Sequence, residues 1–236
     1  MTAALVIPFR DRGIDPYRPL NLEFVTKWWA QQGIPWPVYV VDDGRTGDVP
    51  FNRSASYNLA VAAHPEVDVF VFTESDVFCD PQQIADGIEL ARQAPGLVVG
   101  FSRFLEITEL GSIAVRSGEL GYAEAPVNQI RADYGSNGAI NIVSRQTLEL
   151  IGGYDESFSA AWWDDTAMEI AFDICCGPTR FTDGPVFHLF HASGGRAGAV
   201  TTDADREATE RNRQRWELYR AARTPEDIRT LTMESQ

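Results

Sequence analysis

Cysteine is scarce: Cys79 and the adjacent Cys175 and Cys176 are the only three in 236 residues. They are odd in number and show no CxxC spacing, which argues against a disulfide framework or a cysteine-based metal knuckle. They read as reduced core residues of a cytoplasmic protein. Long apolar runs are missing as well, since nowhere do about 18 apolar residues follow one another. The opening MTAALVIPFRDR has no basic segment and no extended apolar core, so neither a membrane span nor a standard secretion signal is expected. Positive charge is in deficit, with 20 Lys and Arg against 34 Asp and Glu and a net charge of −14. Without a local basic patch such a surface repels duplex nucleic acid and anionic membranes. A nucleotide remains admissible if a divalent cation mediates the contact. Internal repeats and low-complexity segments are absent, and 44% hydrophobic with 23% charged residues suits a folded globular chain.

What is present is an alternation of strands and helices. AALVIPF (3–9) reads as a buried strand closed by Pro8, and RDRGIDPYRP behind it as a polar functional loop. In LNLEFVTKWWAQQG, Leu22, Val25 and Trp29 share a helical face and Gly33 supplies the stop. PVYVVDDG is read as a second buried strand ending in acids, and SASYNLAVAAH as a helix capped by Ser54. VDVFVF follows as a third strand, PQQIADGIELARQA as a helix with proline in its first turn, and GLVVGFS as a fourth strand. This order predicts an α/β fold with a mostly parallel central sheet flanked by helices. Residues 103–134 lack clear periodicity and are expected to form a variable substrate loop. GAINIVS, RQTLELIGG and PVFHLFH read as a strand, a short helix and a late strand. TDADREATERNRQRWELYRAAR, with mixed charge, reads as a helix with a solvated face rather than a binding site. Residues 1–202 are expected to form one domain and 203–236 a charged helical extension.

In a parallel sheet, ligands bind outside the carboxyl ends of the strands. Arg10 to Arg12, Asp42 with Asp43, and Glu74-Ser75-Asp76 all fall at such ends, so three loops remote in sequence are expected to share one crevice. Glu74 and Asp76 offer hard oxygen ligands suited to Mg²⁺ or Mn²⁺, although for ESD taken alone a solvated turn is the ordinary reading. His188 and His191, two of three histidines, stand three residues apart near the end of an apolar strand. A satisfied core histidine is the ordinary alternative for either, and a site completed with Asp76 is the reading that uses both. Trp162 and Trp163 precede Asp164 and Asp165, an aromatic wall for a sugar ring beside a carboxylate able to take a proton. Acids favoured by a helix N-terminus fit the same residues.

Taken in order, VIPFRDR, FNRSASYNLA, FVFTESDVF, GGYDESF with WWDD, and HLFH resemble the motifs of the β-1,4-galactosyltransferases and their N-acetylgalactosaminyltransferase relatives, which have the GT-A glycosyltransferase fold. VVDDG is similar to the nucleotide-binding acids of family 2 glycosyltransferases, and the resemblance spans about residues 3–192. It implies that Pro8, Phe9, Arg10, Arg12, Phe51 and Arg53 line a uridine diphosphate site, and that Asp43 accepts a hydrogen bond from uracil. It further implies a metal held by Asp76 and His191, with Glu74 in place of the family's first aspartate and His188 in place of a methionine ligand. A nitrogen in place of a soft sulfur should widen tolerance towards Mg²⁺. Asp164 and Asp165 match the Glu-Asp pair whose aspartate deprotonates the acceptor, while Trp163 stands where the family has glycine.

The expected activity is metal-dependent transfer of a hexose or N-acetylhexosamine from a UDP-sugar to a hydroxyl, inverting, with Asp165 as base. The acceptor could be a glycan, a protein side chain, a small molecule or a hydroxylated nucleobase. A sugar nucleotidyltransferase should carry a lysine-containing, glycine-rich phosphate loop after the first strand, whereas IPFRDRGIDPYRP has one glycine and no lysine. A non-catalytic carbohydrate-binding module would use the tryptophans without a metal.

Overall fold

The computed structural model describes residues 2–131, 133–192 and 201–234. The chain opens with β1 (Thr2–Pro8), α1 (Tyr17–Gln31), β2 (Val38–Val41), α2 (Arg53–Ala63) and β3 (Val67–Thr73). β1 and β3 lie inside the sheet and read as near-continuous apolar runs, because both of their faces are covered. β2 pairs only with β1 and is an edge strand with Val40 48% exposed, so the expectation of a buried second strand does not hold. Its valines fit a half-covered edge as well as they fit a core. The three strands are parallel, so the loops after Pro8, Val41 and Thr73 open on the same side.

β4 (Val77–Cys79), α3 (Pro81–Gln93), β5 (Val98–Val99), β6 (Arg103–Ile107), α4 (Glu109–Ser117) and β7 (Val127–Arg131) come next. They are followed by β8 (Ile140–Ser144), α5 (Arg145–Ile151), α6 (Asp164–Cys176), β9 (Arg180–Phe181), β10 (Pro185–His188), α7 (Asp203–Ala221) and α8 (Pro225–Met233). The central sheet has the order β2-β1-β3-β8-β5-β9, with β8 alone running against its neighbours. α2 packs on β1 and β2, α3 on β3 and β8, and α5 on β3. A second sheet, β4-β10-β6-β7, stands beside it.

That second sheet corrects the reading of 103–134 as a loop. The segment folds as β6, α4, a 3₁₀ turn (Tyr122–Glu124) and β7, with residue 132 outside the described residues. β7 is an edge strand whose side chains are exposed or half-exposed, so no apolar alternation marks it in the sequence. The cap of α2 also differs: Asn52, not Ser54, accepts from the Ala55 amide at 2.8 Å. Asn52 Nδ2 donates to Glu156 O at 2.7 Å, tying α2 to the segment that leads into α6.

The boundary expected near residue 202 follows residues 193–200, which lie outside the described residues, as do Met1 and the last two positions of the expected extension. α7 is more than a solvated face. It lies against α6 and buries Tyr219, Ala208, Asn212 and Asp205, while α8 packs on α5 and α6. The described helices include none long and apolar enough to cross a membrane.

Candidate functional site

The Asp76 carboxylate is fully buried in the short link between β3 and β4, directly before Val77. β10 pairs antiparallel with β4 and sets His188 opposite Val77, and the Leu189 amide donates to Asp76 O at 2.8 Å. The chain then turns so that His191 comes back to the same carboxylate. His188 Nε2 lies 3.8 Å from Asp76 Oδ1, and His191 Nε2 lies 3.5 Å from Oδ2. One ligand atom from each of these residues lies within 4.8 Å of the others. Phe190 holds this turn: its carbonyl accepts from Asn21 Nδ2 at 3.0 Å and its amide donates to Ser112 Oγ at 2.8 Å.

Burial would raise the pKa of Asp76, but the two imidazoles and the Arg18 guanidinium, 3.4 Å from Oδ2, hold it below the ordinary value. Burial and the same guanidinium push His191 down to about 3, leaving a neutral imidazole. Neutral imidazole and ionised carboxylate are the forms that bind metals. Asp76 Oδ1 is buried without a hydrogen-bond partner, an arrangement that leaves an electron pair to be satisfied. One carboxylate and two imidazoles thus fit a divalent cation whose remaining ligands come from elsewhere. Arg18 and Asp15, which also faces His191 at 4.0 Å, were not singled out by sequence. Their only signal was the polar loop IDPYRP.

The second constellation is built on Arg53, the first residue of α2. Its guanidinium ion-pairs with Glu74 at the end of β3 and with Asp164 and Asp165 in the first turn of α6, with Nη2 3.1 Å from Asp165 Oδ1. Glu74 therefore points to Arg53 rather than to the imidazoles, and the buried Ser75 separates it from Asp76. With three carboxylates on one guanidinium, the cluster is net negative. Burial, then the neighbouring Asp164 and Glu74 charges, push Asp165 up to about 7 against the pull of Arg53. A third of its side chain remains open to solvent. Gly138 lies close by: a Cβ there would stand 2.5 Å from Asp165 Oδ2, so any side chain at this position would displace that carboxylate.

Sequence reading also placed Pro8, Phe9, Arg10, Arg12, Asp43 and Phe51 here. Pro8 ends β1 beside Val41, and Phe9 follows it with its amide donating to Val41 O at 3.0 Å. Arg10 Nε donates to Asp43 Oδ1 at 2.7 Å, and Asp43 Oδ2 accepts from the Asn52 amide at 2.9 Å. The buried Asp43 is thus the brace of the Arg10 loop. Arg12 bridges Asp48 at 2.8 Å and Asp205 of α7 at 2.7 Å. The carbonyl of Phe51 accepts from the Ala160 amide at 2.8 Å. Trp162 is 55% exposed, whereas Trp163 lies on Trp216 of α7 with ring centroids 4.5 Å apart. Ala160, Trp162 and Trp163 have φ of 65°, 69° and 76°, a region that costs a non-glycine residue about 1–2 kcal/mol. Asn212 of α7 donates to the carbonyls of Ser159, Ala161 and Trp162 and accepts from the Ser159 amide. Sequence reading did not anticipate this contact.

These layers define the GT-A fold, that of nucleotide-diphospho-sugar transferases. No protein-family model matches the chain, and no curated protein matches it by sequence. Among solved structures it is similar to GalNAc-T7 with UDP, GalNAc and Mn²⁺, at a TM-score of 0.50 and 11% identity over 93% of this chain and 49% of that one. Drosophila β1,4-galactosyltransferase 7, in complex with manganese, UDP-Gal and xylobiose, gives 0.49 and 17% over 77% and 64%. Glucosyl-3-phosphoglycerate synthase from Mycobacterium tuberculosis, with Mn²⁺, UDP and glucosyl-3-phosphoglycerate, gives 0.49 and 13% over 94% and 79%. The chain thus spans about half of the first of these proteins and under two thirds of the second.

Proposed function

We propose that the chain is a metal-dependent glycosyltransferase that moves a hexose or N-acetylhexosamine from a UDP-sugar to an acceptor hydroxyl with inversion. The observation that carries the reading is the pairing of two sites through Arg53. A buried carboxylate with two imidazoles lies two residues from Glu74, and Glu74 shares its guanidinium with Asp165. Asp76, His188 and His191 would hold Mn²⁺ or Mg²⁺, which acts when bound as a Lewis acid for a diphosphate leaving group. Asp165, with a pKa pushed up to about 7, is matched to removing a proton from the acceptor hydroxyl near neutral pH. Arg53 keeps its carboxylate in place, and Gly138 leaves room for it. Trp162 offers an exposed ring for a sugar face beside that base. Arg10 and Arg12 shape the loop expected to face the nucleotide. The solved structure of GalNAc-T7 with UDP, GalNAc and Mn²⁺ supports this reading through its fold.

Calorimetric titration with UDP, with and without Mn²⁺, and with GDP as control, tests the proposal. Binding of UDP that chelator removes is expected. No binding of either nucleotide sinks the reading.

A further inference from the structure

The residues that precede Asp164 and Asp165 make four hydrogen bonds with one side chain of α7, Asn212. Ser159 to Trp163 form a strap in which three non-glycine residues have positive φ, and α6 begins at its end without a side-chain cap. Asn212, 2% exposed, satisfies this strap from α7. Its Nδ2 lies 2.8 Å from Ser159 O, 3.1 Å from Trp162 O and 3.2 Å from Ala161 O, and its Oδ1 lies 3.2 Å from Ser159 N. One turn further on, Trp216 supports Trp163. An amide is the side chain that offers both donors and an acceptor at this length, whereas a carboxylate would face three carbonyls without a proton to give.

We infer that Asn212 is a positioning residue for the carboxylates of Asp164 and Asp165, fixing the strap that delivers them and turns Trp162 outward. The role rests on the glycosyltransferase reading for its catalytic consequence, but not for its geometry. Asn212 touches neither the Asp76 cluster nor the Arg10 loop through any hydrogen bond described. Its loss therefore acts first on the strap and its carboxylates, while the strap's link to Phe51, from the Ala160 amide to the Phe51 carbonyl, is a backbone bond that does not involve Asn212.

The test compares Asn212→Ala, Asn212→Ser and Tyr219→Phe in the full chain. Tyr219 is a buried residue of the same helix whose hydroxyl donates to Asp155 at 2.9 Å and not to the strap. Asp165 is titrated by carboxyl ¹³C NMR, with Asp165→Asn giving the assignment. UDP binding with Mn²⁺ is measured by calorimetry, and sugar release from UDP-glucose and UDP-galactose is measured as a rate. In Asn212→Ala the Asp165 titration midpoint is expected to move, with sugar release falling roughly tenfold or more and UDP affinity changing less than about threefold. Asn212→Ser, which keeps a donor and an acceptor, should recover part of the rate. Tyr219→Phe should lower the melting temperature and leave the Asp165 midpoint where it was. An unchanged midpoint in Asn212→Ala, or an equal displacement in Tyr219→Phe, overturns the inference. A wild-type protein that neither binds UDP nor releases sugar overturns the transferase reading instead, while the NMR midpoints still decide the role of Asn212.

Discussion

Arg53 Nη2 lies 3.1 Å from Asp165 Oδ1, while the other arm of the same guanidinium holds Glu74 at the opposite wall of the crevice. One cation thereby connects the end of β3 with the start of α6. Charge-assisted bonds of this kind are stronger than neutral ones, and here they fix where the Asp165 carboxylate sits.

On the proposed role of Asp165 as base, a pH dependence follows. A base must be ionised, and Asp165 has its pKa pushed up to about 7, so turnover should rise with pH through about 7 and level off above it. Asp165→Asn should abolish transfer and leave Mn²⁺-dependent UDP binding intact. A rate profile flat from pH 5.5 to 8.5, roughly a decade and a half either side of that midpoint, would remove Asp165 from the role.

Stability should carry the opposite trend. Folding raises the Asp165 pKa from about 4 in an unfolded chain, so between these values the native state binds the extra proton. The Asp165 contribution is therefore greatest at the acid end and is lost as pH rises towards 7. In urea unfolding at several pH values, Asp165→Asn should gain stability relative to wild type as pH rises through this window. A constant difference between the two proteins would contradict the raised pKa.

Arg53→Met should be costly in another way. Three carboxylates would remain without their shared cation, and about 3 kcal/mol of stability should be lost at neutral pH, less in high salt. Denaturant midpoints measured with and without salt give both quantities. An equal loss at pH 4.5 and pH 7.5 would show that packing, not charge, is responsible.

The proposed metal site predicts a loss at one residue and a change of preference at another. Asp76→Asn should abolish Mn²⁺-dependent UDP binding. His188→Met exchanges a nitrogen for a soft sulfur and should reduce Mg²⁺ support more than Mn²⁺ support. Paired calorimetric titrations with the two ions give the order: UDP affinity unchanged with both would place His188 outside the coordination sphere, and an equal loss with both would contradict the change of preference.

Gly138→Ala should separate folding from chemistry. The added methyl meets the Asp165 carboxylate, the movable end of a side chain, so the melting temperature should change little. The carboxylate must shift, and turnover should fall by about tenfold or more. A large drop in melting temperature with normal turnover would contradict this.

The core of the fold was legible because β1 and β3 are covered on both faces and their sequences are apolar without interruption. β7 was not legible: an exposed edge strand buries nothing, so its pattern carries no period. The same contrast holds at the site. Asp76, His188 and His191 stood out because carboxylate and imidazole are unusual in or beside buried strands. Arg18, Gly138 and Asn212 act through tertiary contacts, and Asn212 meets Ser159 across 53 residues of sequence. Nothing in the local composition around an asparagine in a charged helix distinguishes it from its solvated neighbours.

Asp205 and Asn212 of α7 reach back to Arg12 and to the strap before α6, near the first and the later parts of the chain respectively. During synthesis the sheet can assemble as its strands emerge, yet neither the Arg12 loop nor the Asp164-Asp165 turn has its partner until α7 has left the ribosome. The nascent chain should thus acquire its core before the Arg12 loop and the Asp164-Asp165 turn are fixed, since both wait for α7 to emerge.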